Sequence, residues 1–241
     1  MNSMRIATFS DVHSNAPALK NVLKDIEKQR VDKVYCLGDL VGYGPCPNTV
    51  IEILRNKEIP TIMGNYDDGV GYERGECGCA YTSPKEIENG QKSVDWTTKA
   101  TSERNKEFLR SLPDKISFEA NGYKFLLVHG SPRRINEYLF EERREDSLRR
   151  ILKPLDIDFM ICGHTHKPYH RVIDGVHVVN NGSTGKPKDG DVRACYAIVE
   201  FGDSIEVEFR RVEYPVENVA SMILDVGLPS QFAEDLRTGG Q

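Results

Sequence analysis

The chain has 241 residues, 39% of them hydrophobic and 29% charged, with a net charge of -5. These proportions exclude a disordered chain, and the length suits one α/β domain while being short for two. No basic block dominates any segment, so binding to a nucleic-acid backbone is not expected, because counterion release needs clustered Lys and Arg.

Arg5 to Phe9 reads as a short strand with Ser10-Asp11-Val12-His13 at its carboxyl end. Asp11 and His13 stand at i and i+2, so both can face one metal. Asn15 has the character of a helix cap, with Pro17 in the first turn. Leu19, Val22, Leu23 and Ile26 then give the apolar stripe of a helix running to Gln29. Lys33 to Leu37 is a second strand, and Gly38-Asp39-Leu40 puts a carboxylate at its end. The glycine-rich loop Val41-Gly42-Tyr43-Gly44-Pro45 leads into a helix carrying Val50, Ile51 and Leu54. A short strand over Thr61 to Met63 ends in Gly64-Asn65-Tyr66-Asp67.

Between Asp68 and Lys115 the rhythm changes. Glu76-Cys77-Gly78-Cys79 lies in a glycine-rich loop, and polar helical sequence follows from Pro84 to Leu112. Residues 68–115 are therefore expected to form helices and a loop inserted over the site, in a chain that is otherwise a single domain over 1–241. Tyr123 to Val128 is an apolar strand before His129-Gly130-Ser131-Pro132, and Glu141 to Leu152 is a charged helix. The strand Phe159-Met160-Ile161-Cys162 delivers Gly163-His164-Thr165-His166. On extended backbone the two histidines point to one side, and imidazole is the commonest neutral metal ligand. After Lys167 the pattern is β. One hairpin pairs Tyr169 to Ile173 with Val176 to Asn180 around Asp174-Gly175, and another pairs Ala194 to Phe201 with Ile205 to Val212. Val216 to Val226 is helical in pattern.

Five strands thus end in Asp, Asn or His, mostly beside glycine. Any one such ending is an ordinary turn. Five with complementary ligand types point to a shared crevice outside the carboxyl ends of the strands, where α/β sheets carry their sites. No run approaches the ~18 apolar residues of a membrane helix. Met1 to Ile6 runs straight into a strand without a leader pattern, and the six cysteines read as reduced thiols, so a cytoplasmic protein is expected. Cys77 and Cys79 read as loop thiols, and His170 and His177 as ordinary strand residues. Arg133 is a candidate phosphate contact, since guanidinium matches phosphate bidentately. Lys186, Lys188 and Arg193 share one loop, and the sequence does not choose which of them reaches substrate.

The order Asp-x-His, Gly-Asp, Gly-Asn, His-Gly, Gly-His-x-His, from Asp11 to His166, resembles the calcineurin-like metallophosphoesterases, in their small prokaryotic branch. The resemblance implies a four-layer α/β/β/α sandwich of two mixed sheets flanked by helices. It implies two divalent metal ions (Mn, Fe, Zn or Ni), one held by Asp11, His13 and His166 and the other by Asn65, His129 and His164, with Asp39 between them. It further implies direct hydrolysis of a phosphomonoester or phosphodiester by a hydroxide bridging the metals, with Asp39, Asn65 and His129 in the catalytic set and Asn65 also touching substrate. The substrate would be a nucleotide, a phosphoprotein or a small molecule, with no membrane partner and with self-association left open. One departure stands out. The family usually carries histidine after Gly-Asn, to assist the leaving oxygen, and this chain has Tyr66. Tyrosine, with an ordinary pKa of about 10, is a poorer acid at neutral pH. Tyr66 is either a weak proton donor or a packing residue, and its presence motivates an alternative reading as an inactive binding or scaffold protein on the same fold.

Overall fold

The computed structural model describes residues 3–241. The strands are β1 (Met4–Phe9), β2 (Lys33–Cys36), β3 (Lys115–Ala120), β4 (Tyr123–Val128), β5 (Phe159–Cys162), β6 (Tyr169–Ile173), β7 (Val176–Asn180), β8 (Ala194–Phe201) and β9 (Ile205–Val212). The helices are α1 (Ala16–Lys28), α2 (Pro47–Asn56), α3 (Asn65–Gly71), α4 (Pro84–Ala100), α5 (Glu103–Ser111), α6 (Glu145–Leu152), α7 (Val216–Asp225) and α8 (Ser230–Thr238).

The strands form two mixed sheets, ordered β2-β1-β8-β9 and β3-β4-β5-β7-β6. The parallel pairs are β1 with β2, β4 with β5, and β5 with β7; the hairpins supply the antiparallel pairs. Ile6, Tyr35, Val199 and Phe201 of one sheet pack on Phe125, Phe159, Ile161 and Val179 of the other. Within that layer Phe118, Phe125 and Phe159 stack at centroid distances of 4.8 and 4.5 Å. Each such side chain contributes roughly 1.5–3 kcal/mol through burial alone. The outer face of the first sheet is covered by α1, α2, α7 and α8, and that of the second by α6. The result is the α/β/β/α layering that the family resemblance implied. No helix among the described residues is long and apolar enough to cross a membrane.

Local differences from the sequence reading have physical causes. The expected strand at Thr61 to Met63 is a single bridge from Thr61 to Cys36, because Pro60 and Gly64 leave no room for a ladder. β3 was not foreseen. Its alternate residues are only half-buried, so Lys115–Ala120 lacks an apolar run. Its signal lies in the turn, Asn121-Gly122, where φ values of 51° and 81° are those of a tight hairpin. α8 was also missed; its buried Phe232, Ala233 and Leu236 close the outer layer beside α7.

Candidate metal centre

Seven side chains gather beyond the carboxyl ends of the central strands. Ligand atoms of Asp11, His13 and His166 lie within 4.8 Å of one another, and so do those of Asp39, His129 and His164. All six are buried. Asn65 completes the second group, with its Oδ1 3.0 Å from His129 Nε2. The carboxylate of Asp39 stands between the groups, Oδ2 lying 3.6 Å from His13 Nε2 and 3.4 Å from His129 Nε2.

The histidines do not sit on extended strand, as the sequence reading had it. β5 ends at Cys162, and His164 and His166 follow in turns with φ of 65° and 61°. Asp11, His13 and Asp39 share this left-handed geometry, with φ of 52°, 45° and 53°. For a non-glycine residue such a backbone costs on the order of 1–3 kcal/mol and persists only where the surroundings over-determine it. Here they do. Asp11 N–H donates to Gly38 O (3.0 Å), His13 N–H to Asp39 O (3.0 Å) and Ser14 N–H to Leu40 O (2.8 Å), zipping the first loop to the second. Asp67, fully buried, accepts from Leu40 N–H (2.8 Å) and Gly64 N–H (2.9 Å), tying the second loop to the third. Asp39 Oδ1 accepts from Tyr66 N–H at 2.8 Å. Asp11 Oδ2 accepts from His164 N–H at 3.0 Å and from the Ser10 hydroxyl.

The imidazoles are oriented from behind. His13 Nδ1 donates to Val41 O (2.9 Å), His129 Nδ1 to Leu37 O (2.7 Å) and His166 Nδ1 to Lys186 O (2.5 Å). A carbonyl only accepts, so each Nδ1 carries the hydrogen and each Nε2 turns inward. His13 Nε2 and His166 Nε2 then face each other at 3.2 Å, with Asp11 Oδ1 3.3 Å from the latter. Lone pairs converging this closely repel one another unless a cation sits among them. Asp11 Oδ1 and His164 Nε2 are buried and have no hydrogen-bond partner. Buried polar atoms are rarely left so. Both the donor set and these two orphaned atoms fit a pair of divalent cations of the imidazole- and carboxylate-binding kind.

Electrostatics follow the same division. Burial pushes His13 down to about 4 and His164 to about 3, so both are neutral and ready to ligate. Burial, helped by Asp39, pushes Asp11 up to about 6. Burial alone would raise Asp39, but the field of His129 beside it holds the carboxyl well below the usual range. The converse holds for His129: burial would lower it, and Asp39 lifts it to about 10. Without metal the two form a buried ion pair.

The centre floors a cleft of about 460 Å³, lined by His13, Asp39, His164 and His166 below. Its walls are Tyr43, Tyr66, Tyr81 and Tyr138, the start of α4 with Lys85 and Glu86, the Lys186 and Lys188 loop, and Phe232 and Asp235 of α8. Much of this wall escaped the sequence reading. Tyr66 is fully buried; its ring packs on those of His13 and Tyr43, and its hydroxyl bonds that of Tyr81 at 2.8 Å. Burial drives its pKa well above the ordinary tyrosine value. Asn65 is turned away from the cleft, its amide donating to Cys77 O (2.9 Å) and Cys79 Sγ (3.3 Å), which leaves its oxygen facing His129. The Cys77-Gly78-Cys79 loop thus positions Asn65. Arg133 does not reach the cleft. Its guanidinium binds Glu137 at 3.0 Å and lines a separate hollow with Asp68 and Asp114.

Comparison with known proteins agrees with the geometry. The family model for the calcineurin-like phosphoesterase superfamily domain matches residues 4–204. An uncharacterized protein of Methanocaldococcus jannaschii is 33% identical over 252 residues, covering 97% of this chain and 98% of its own. A phosphodiesterase of the same archaeon is 25% identical over 193 residues, covering 78% and 91%. The crystal structure of a metallophosphoesterase from Sphaerobacter thermophilus superposes with a TM-score of 0.80 at 31% identity, covering 99% of this chain and 100% of that one. With the matched segment running through both sheets and every loop that carries the seven side chains, the chain belongs to the calcineurin-like phosphoesterase superfamily.

Proposed function

We propose that this phosphoesterase works with two divalent cations, Asp11, His13 and His166 holding one, Asn65, His129 and His164 the other, and Asp39 shared. The observation that carries the reading is the pair of orphaned, buried atoms, Asp11 Oδ1 and His164 Nε2, one in each of the two side-chain groups. Two such cations, when bound, activate a water near neutral pH and neutralise phosphate oxygens. The chain's own residues do the rest. Asp39 supplies the negative charge common to both groups, and the carbonyls of Leu37, Val41 and Lys186 hold three imidazoles in their ligating tautomer. Tyr66 is a wall against His13 rather than a proton donor, since it is fully buried, its hydroxyl is bonded to that of Tyr81, and burial raises its pKa well above the ordinary value. Residues 68–115 serve as a cover, Cys79, Tyr81 and the start of α4 forming one side of the cleft of a single catalytic domain.

The test is metal-dependent hydrolysis. Chelator-treated protein should lose activity on aryl phosphomonoesters and phosphodiesters and regain it with manganese. His129→Ala should not regain it. Full turnover in the presence of excess chelator, or binding of metal without any turnover, would sink the reading; the latter would favour the scaffold alternative.

The metal-free ion pair adds a pH expectation. Asp11, raised to about 6, must lose its proton to ligate, and His129, raised to about 10, must lose one even at neutral pH. Protons therefore compete with metal. Affinity should rise steadily from about pH 5.5 to about pH 8, with proton release on binding at about pH 7. Titration calorimetry in buffers of different ionisation enthalpy reads both; a flat affinity across that range with no proton release would count against the assigned ligands.

A further inference from the structure

Among the described residues three lysines line the cleft: Lys85, Lys186 and Lys188. Two are committed elsewhere. Lys85 Nζ donates to Glu88 at 3.2 Å. Lys186 is buried, its Nζ 2.5 Å from Asp235 Oδ2 and 5.0 Å from the centre of the Tyr43 ring. Its ammonium braces α8 against the floor of the cleft. Lys188, two residues on, is half-buried in the same wall and makes no hydrogen bond or ion pair among the described residues.

The loop that presents Lys188 is fastened to the metal-bearing loops. Thr184 N–H donates to Ser10 O (3.0 Å), Gly185 N–H to Asp11 O (2.9 Å), and Ser183 Oγ to the same Asp11 carbonyl (2.8 Å). Beyond Lys188, Gly190 N–H donates to Gly239 O at 3.0 Å. Anchored on both sides, the loop holds a cation over the floor at little entropic cost. The position after Gly-Asn, meanwhile, offers no cation, since Tyr66 is neutral and buried.

We infer that Lys188 is the side chain that binds the substrate phosphate, its ammonium meeting a non-bridging phosphate oxygen at the wall of the cleft. The inference deepens the dimetal phosphoesterase reading and rests on it. An ammonium contributes as a point charge, so its contribution scales with the negative charge on the phosphoryl oxygens. A dianionic phosphomonoester should therefore depend on Lys188 more than a monoanionic phosphodiester.

Inorganic phosphate is the probe, titrated into metal-loaded protein, with bound metal counted separately. A charge-assisted hydrogen bond of this kind corresponds to roughly tenfold to a hundredfold in affinity. Lys188→Met should weaken phosphate binding by at least about tenfold, leave the metal content unchanged, and raise KM for an aryl monoester more than for the matching diester. Lys188→Arg should recover most of the phosphate affinity. Phosphate affinity within about twofold of the parent in Lys188→Met would overturn the assignment. So would lost metal, which would make Lys188 a support of the centre rather than a substrate contact. If the parent chain itself takes up no metal, the dimetal reading fails first and takes this one with it.

Discussion

Asp39→Asn is expected to reduce metal-supported hydrolysis by on the order of a thousandfold or more while leaving the fold intact. The two side chains are nearly the same shape, so the hydrogen bond that Asp39 Oδ1 accepts from Tyr66 N–H can be kept. What disappears is the carboxylate charge that faces both imidazole groups, 3.6 Å from His13 Nε2 and 3.4 Å from His129 Nε2. His129 then loses the main partner that lifts it, and burial favours its neutral form. Bound metal should fall below the parent stoichiometry. Stability of the metal-free chain should fall, because removing one partner of a buried ion pair forces the other to give up its charge or stay buried without compensation. Metal content by mass spectrometry, activity, and denaturant unfolding give three separate readouts. Activity within tenfold of the parent at full metal content would remove Asp39 from the centre.

Gly185→Ala is expected to be the most damaging small substitution away from the seven side chains. A Cβ there would lie 1.8 Å from Val12 O and 2.5 Å from Val12 C, a clash with backbone that no rotamer change relieves. Relief requires the loop to lift, which breaks Gly185 N–H to Asp11 O and the bond that Asn15 Nδ2 donates to Gly185 O at 3.0 Å. The Lys186 carbonyl behind His166 would move with it. Overpacking of this severity costs about 3 kcal/mol or more, read from the denaturant midpoint. Metal content should drop in parallel. A shift of less than about 0.5 kcal/mol would mean that the loop is far looser than its hydrogen bonds imply.

Much of the fold was legible in the sequence because strands and turns each carry a local signal. Apolar runs such as Phe159–Cys162, ended by glycine, mark buried strands, and Asp174-Gly175 marks a hairpin, with φ of 49° and 87° at those positions. β3 escaped because a half-buried edge strand has no apolar run. The seven clustered side chains were legible by type and order, but not by backbone. Period-two alternation assumes extended strand, whereas Asp11, His13, Asp39, His164 and His166 all lie at positive φ. The cleft walls were not legible at all. Tyr43, Tyr138 and Phe232 come from distant segments, and nothing local distinguishes them from core aromatics. Lys186 and Lys188 are alike in sequence; only the packing of α8, which supplies Asp235, separates the brace from the free ammonium. Arg133 was drawn toward phosphate by its chemistry and is diverted by Glu137, four residues on.

The left-handed turns at five of the seven side chains carry a consequence for adaptation. Glycine or asparagine at His13 or His166 would relax an unfavourable backbone while removing an imidazole from the proposed centre. Selection for heat resistance and selection for turnover therefore pull the same codons in opposite directions, and a thermally hardened descendant is best sought among changes to the outer helices.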